Sequence, residues 1–178
     1  MLHALGRTFG APLRLLLALA FGLASPAQAA GEGEVKAGYL ANFAAFTEWP
    51  PERAGNGMLR LCLLGASELD HALERIDGRL VNGRPIHLLR LAEPVGLDRC
   101  QMLFIGRGAR ASLPNVLDAL AGQPVLTVAD SDGFARRGVM INMVLTADRV
   151  GFEINRAALA QTGLAVSARL LQLAREVY

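Results

Sequence analysis

A chain of 178 residues in which 52% of the side chains are hydrophobic and 19% charged can bury one sizeable core. Its formal net charge is only +2, and Arg7 and Arg14 supply that surplus within the first 29 residues, so residues 30–178 are neutral overall. This disfavours binding to nucleic acid, which draws much of its affinity from neutralised phosphates.

At the start of the chain, Arg7 and Arg14 lead into the apolar run Leu15 to Ala24, and Ala27-Gln28-Ala29 follows with small residues flanking one variable position. That is the layout of a secretory signal peptide cleaved after Ala29. The competing reading, an anchor helix, needs about 20 apolar residues, whereas this run is shorter and stops at Ser25-Pro26. No later apolar run reaches the roughly 18 residues that a span requires, so residues 30–178 are expected to form one exported periplasmic domain with no membrane span of its own. Cys62 and Cys100 both lie in that part, where an oxidising compartment lets a disulfide persist. Two buried free thiols are the alternative.

The first helix is expected from Glu34 to Trp49, stopped by Pro50-Pro51. Val35, Tyr39, Asn42, Phe46 and Trp49 then share one face, which leaves Asn42 in an otherwise apolar stripe. Arg60–Leu64 reads as a buried strand, and Ser67 can cap a helix running to Ile76. A turn at Asn82-Gly83 introduces a second strand, Pro85–Leu89. Met102–Ile105 is a third strand, Ser112–Leu120 a helix with Pro114 in its first turn, and Val125–Ala129 a fourth strand. Alternating strands and helices predict an α/β fold with a single doubly wound, mostly parallel sheet of about six strands, flanked by about five helices. In the strand order 2-1-3-4, Cys62 and Cys100 come within bridging distance.

Near the C-terminus the pattern changes. Val139–Thr146 and Arg149–Ile154 are separated only by Ala147-Asp148, which predicts an antiparallel hairpin with Asn142 opposite Glu153. Ile141, Met143, Leu145, Val150, Phe152 and Ile154 then make one apolar face. Asn155 is placed to cap a helix over Arg156–Thr162, and a last helix is expected from Ser167 to Val177.

Few residues suggest catalysis. Gly106-Arg107-Gly108-Ala109-Arg110-Ala111 fits G-x-G-x-x-A after a strand, and Asp130 follows at the distance of a ribose-binding acid. However, the motif follows the third strand, and an exported protein meets little dinucleotide. An anion held at this helix start is the milder reading. His71 and His87 stand apart from any nucleophile or metal pattern, and Asp130-Ser131-Asp132-Gly133 reads as a turn at the sheet edge. No enzyme, cofactor or metal site is expected.

Asn42-Phe43-Ala44-Ala45-Phe46-Thr47-Glu48-Trp49-Pro50, Val125-Leu126-Thr127-Val128, Gly133-Phe134-Ala135, Met140-Ile141-Asn142 and Phe152-Glu153-Ile154-Asn155 stand in the order found in the YfiR family, which this chain resembles over nearly all of residues 30–178. The resemblance implies a periplasmic protein, often dimeric, that binds the periplasmic part of a membrane diguanylate cyclase and inhibits it. Cyclic-di-GMP and biofilm formation fall as a result, and an outer-membrane lipoprotein relieves the inhibition. It further implies that Asn42 and Glu153 line the pocket for that lipoprotein. YfiR has a second cysteine pair that this chain lacks.

The expected partner-binding residues are therefore Asn42, Phe43, Phe46, Trp49, Asn142 and Glu153, with Cys62 and Cys100 as the disulfide. At helical spacing, Phe43, Phe46 and Trp49 also suit a plain core. Asn142 and Glu153 also suit a solvated hairpin face. A sensor module that binds a small metabolite and reports to another membrane receptor is the alternative function.

Overall fold

A computed structural model describes residues 31–54, 57–147 and 149–178, so the proposed signal peptide lies outside the described residues. The helices are α1 (Glu32–Ala45), α2 (Asp70–Glu74), α3 (Leu113–Ala119), α4 (Arg156–Ala160) and α5 (Ala168–Leu173). The strands are β1 (Thr47–Glu48), β2 (Leu59–Leu64), β3 (Leu80–Val81), β4 (Arg84–Leu91), β5 (Met102–Ile105), β6 (Leu126–Ala129), β7 (Ile141–Thr146), β8 (Arg149–Ile154), β9 (Ala165–Val166) and β10 (Glu176–Val177).

One eight-stranded sheet runs β10-β8-β7-β6-β5-β2-β4-β3, and β1 with β9 forms a separate ribbon. Strands β4, β2, β5 and β6 are parallel and stand in the order 2-1-3-4 that brings Cys62 and Cys100 together. The near-continuous apolar sequences of β2, β5 and β6 suit strands buried on both sides. Leu40, Phe43, Leu73 and Leu170, from α1, α2 and α5, pack with Leu61, Phe104 and Val128 on one face. On the other face Leu113 and Val116 of α3 pack with Leu103, Ile105 and Phe134. Fully burying one such Leu or Phe contributes about 1.5–3 kcal/mol.

Strand β7 joins β6 in parallel and β8 returns antiparallel, with Asn142 opposite Glu153 as the two-residue turn requires. Ala147 adopts φ 44° in that turn, the positive backbone angle that a tight hairpin needs. Ile141, Met143, Phe152 and Ile154 are buried on the α1 side. Leu145, at the hairpin tip, is 52% exposed.

Three elements differ from the sequence expectation. Helix α1 stops at Ala45 instead of Trp49 because Thr47–Glu48 pairs with Ala165–Val166. The Thr47 hydroxyl donates to the Phe43 carbonyl at 2.7 Å, satisfying a group at the freed helix end. Helix α2 spans only Asp70–Glu74, and Ser67, expected to cap a helix running to Ile76, is not its cap. The last helix ends at Leu173, and Glu176–Val177 adds a parallel edge strand to β8. The sheet therefore has more strands than six, its two outermost members, β3 and β10, being only two residues each.

Helix α1 is also rotated relative to its expected face. Its buried residues are Lys36, Ala37, Leu40, Ala41, Phe43 and Ala44, while Val35 and Asn42 point outward. Alanines at three of these positions let the helix lie close to the sheet, an approach the bulkier stripe would prevent.

Cys62 in β2 and Cys100, just ahead of β5, form the expected disulfide, with their Cα atoms 5.8 Å apart. Arg53 braces this corner by donating to the carbonyls of Asp98 and Cys100. The Trp49 indole N–H donates to the Gln101 carbonyl at 3.0 Å. Closing the loop over a separation of 38 residues stabilises by about 4 kcal/mol on the chain-entropy account. Replacing both cysteines with serine should lower the urea unfolding free energy by about 2–4 kcal/mol and leave the far-ultraviolet dichroism unchanged.

Candidate functional site

The expected partner-binding residues fall into three groups. Phe43 is completely buried, and its ring lies 5.0 Å from that of Phe152 and 5.7 Å from that of Tyr39. Trp49 is buried beyond the helix end, beneath the Arg84 guanidinium. Neither is available to a partner: both are core residues, held there by aromatic packing and an indole hydrogen bond.

Asn42 and Phe46 form the second group. Asn42 is exposed, and Phe46 is half-buried with the Arg169 guanidinium 5.9 Å over its ring. Val35, 37% exposed, and half-buried Tyr39 continue this strip along α1. The Tyr39 hydroxyl donates to the Val150 carbonyl at 3.2 Å, tying the strip to the hairpin.

Asn142 and Glu153 form the third group, which lies across the sheet from Asn42. Phe152 and Ile154 point towards α1, so the two-residue period of β8 sends Glu153 to the opposite face. Asn142 pairs with Ala129 on its other side, and Ala129 belongs to the core packed against α3. The recess expected between Asn42 and Glu153 is therefore absent, with the sheet standing between them.

On its own face Glu153 has different company. β10 places Glu176 beside it in register. The Tyr178 hydroxyl donates to the Glu176 carboxylate, and Arg136 reaches both, its guanidinium 5.2 Å over the Tyr178 ring. The hydrogen bond from Tyr178, helped by Arg136, holds the Glu176 carboxyl below its ordinary range. The same bond raises the Tyr178 hydroxyl, and the Glu153 charge adds to that shift. Asn142 is fully buried, and neither its carboxamide oxygen nor its nitrogen has a partner among the described residues. Such a group costs about 1–3 kcal/mol and calls for a reason.

The glycines of the G-x-G-x-x-A stretch have a packing role. A Cβ on Gly106 would come within 2.7 Å of the Ala66 carbonyl oxygen, and one on Gly108 within 2.7 Å of the Ala66 nitrogen. The loops after β2 and β5 interlock here. The N–H groups of Gly106, Gly108 and Ala109 already donate to the carbonyls of Leu64, Ala66 and Gly106, so these three donors are not free for an anion. Asp130 is occupied as well, by Lys36. Among the described residues, no cluster of three His, Cys, Asp or Glu side chains is arranged to hold a metal ion.

Lys36 is the site residue that sequence reasoning missed. Only 4% exposed, it donates to Asp130 at 2.9 Å and lies 2.6 Å from Glu32, joining the first turns of α1 to the C-terminal end of β6. The available signal was its phase: Lys36, Leu40, Phe43 and Ala44 lie on one helical face.

The sequence profile of a family described as YfiR/HmsC-like matches residues 33–175. The chain belongs to the YfiR/HmsC-like family. Two solved structures share its fold at low identity. One, an ABC domain from Streptococcus pneumonia in complex with L-Trp, has a TM-score of 0.54 and 10% identity over 78% of this chain and 59% of that one. The other, a conserved domain protein from Vibrio cholerae O1 biovar El Tor, has a TM-score of 0.54 and 8% identity over 83% of this chain and 60% of that one. The chain thus matches about three fifths of each, and the likeness concerns the α/β fold alone. Among the described residues of this YfiR/HmsC-like domain, no helix is long and apolar enough to cross a membrane.

The buried Lys36–Asp130 pair gives a test of this family member's architecture. Burial opposes the Lys36 ammonium, but hydrogen bonds to Glu32 and Asp130 outweigh it and raise its pKa above the ordinary 10.5. A raised base stabilises the fold fully below its unfolded pKa, and the gain is lost as pH rises through the folded value. Lys36→Met strands a buried carboxylate and should cost about 3–5 kcal/mol at pH 7, measured by urea unfolding. The gap between wild type and variant should narrow above pH 10.5.

Proposed function

We propose that this YfiR/HmsC-like protein is exported to the periplasm, binds the periplasmic part of a membrane diguanylate cyclase and holds it inactive, lowering cyclic-di-GMP and biofilm formation. The observation that carries this reading is the family match across residues 33–175, which takes in both the α1 strip and the hairpin. The protein acts by binding and not by catalysis.

On this reading, the cyclase meets the exposed strip of α1. Asn42 supplies a hydrogen-bonding amide there, and Phe46, stacked under Arg169, supplies an aromatic edge beside it. Phe43 and Trp49 support that surface from behind. The polar cluster of Glu153, Glu176, Tyr178 and Arg136, on the face that also carries Asn142, is a separate surface on the opposite side of the sheet and is where an outer-membrane lipoprotein would relieve inhibition. Two partners could then bind at once, because their surfaces do not overlap.

Deleting the gene should raise cyclic-di-GMP in a strain with a periplasmic-sensing cyclase, and unchanged levels would refute the reading. In the purified protein, Asn42→Ala with Phe46→Ala should weaken cyclase binding about tenfold or more with little change in melting temperature. Phe43→Ala should instead destabilise the fold by about 3–5 kcal/mol, which distinguishes surface from core. Glu153→Ala should reduce lipoprotein affinity and leave cyclase affinity intact, as isothermal titration can measure.

A sensor of small metabolites is the second reading. It is favoured by a cleft of about 540 Å³ between α3 and α4, with Leu117, Met140 and Ala158 among its apolar walls and Asp118 and Arg137 among its polar ones. A metabolite at 100 times its dissociation constant should stabilise the protein by about 2.7 kcal/mol in a thermal-shift screen.

A further inference from the structure

The connection from β5 to β6 carries α3, which covers one face of the sheet, but the connection from β4 to β5 carries only the 3₁₀ turn Leu97–Arg99. The face of β2 and β4 beyond the disulfide therefore lacks a covering helix. It forms an open basin of about 390 Å³, floored by the Cys62–Cys100 bridge with Leu89 and Leu91.

The polar side chains around this apolar floor are three arginines and a histidine, with no carboxylate among them. Arg60 and His87 are register partners on β2 and β4, so their side chains emerge abreast on this face. Arg99 closes the rim from the 3₁₀ turn. Arg90 also lines the basin, but its guanidinium is held by Asp70 and Glu74 at 3.2 and 2.7 Å. Arg60 and Arg99 make no ion pair among the described residues, and the buried Nε of Arg60 has no hydrogen-bond partner there. Glu93 and Asp98 lie on the neighbouring loop, but neither lines the basin. An apolar floor edged by Arg60 and Arg99, with a histidine beside them and no carboxylate in the lining, is complementary to a small molecule that carries negative charge on a flat apolar body.

We propose that this basin binds a compact amphipathic anion, a carboxylate or phosphate monoester on an apolar group, with Arg60, Arg99 and His87 holding the charge and the disulfide with Leu89 and Leu91 receiving the body. The site is distinct from the α1 strip and from the Glu153 cluster, and it does not depend on the regulatory reading.

Titrating the exported protein with phenyl phosphate, inorganic phosphate and phenol, followed by amide chemical shifts, tests the proposal. Phenyl phosphate should produce saturable shifts centred on residues 87–91 and 99–101, and should bind at least tenfold more tightly than either fragment. Arg99→Gln, a change at an exposed side chain, and Arg60→Gln should each weaken phenyl phosphate at least fivefold. Phenol binding should stay unchanged and Arg99→Gln should keep the wild-type melting temperature. Shifts centred elsewhere, equal affinity for phenyl phosphate and inorganic phosphate, or undiminished binding by Arg99→Gln would overturn it.

Discussion

The contact between Phe43 and Phe152, with ring centroids 5.0 Å apart, fixes the functional geometry of this domain. It seats α1 on the hairpin and thereby decides which face of β8 is core. With Phe152 and Ile154 directed at α1, the pleat leaves Glu153 no choice but the other side. The same contact turns α1 so that Ala37, Ala41 and Ala44 meet the sheet and Asn42 meets solvent. One aromatic pair thus separates the two polar residues that the family resemblance had joined in a single pocket.

Central strands buried on both faces have consequences at their ends. The loops after β2 and β5 come so close that only glycine fits at 106 and 108, and the backbone donors there bond to protein carbonyls. The crevice that an open α/β sheet offers at the C-terminal ends of its strands is consequently closed over β2 and β5. At β6 it is filled by Lys36 reaching Asp130. The surfaces left open are the α1 strip, the β8–β10 edge and the face of β2 and β4 beyond the disulfide.

The buried Lys36–Asp130 pair is costly unless geometry is good, since each ion loses its hydration on folding. Here Glu32 adds a second carboxylate to the ammonium, which offsets that loss. The pair locks the start of α1 to the end of a central strand, while β1 and β9 lock the other end. A helix tied at both ends presents its outer strip as a rigid surface, and a rigid surface loses less entropy when it binds.

Patterns of short range were legible in the sequence. The apolar runs gave the inner strands, the two-residue gap at Ala147-Asp148 gave the hairpin register, and Asn155 was recognisable as a helix cap, accepting an N–H three residues on. These features follow from side-chain period and turn chemistry, which are local. The cysteine pairing followed from compartment and strand order together. What only the tertiary structure decided was rotation and facing: which side of α1 meets the sheet, where the last residues pair, and whether Asn42 and Glu153 meet. Those depend on contacts such as Phe43 with Phe152, which is 109 positions away in the chain, and on Lys36 with Asp130, 94 positions apart. No window of sequence contains both partners, so packing across the sheet settled what periodicity left open.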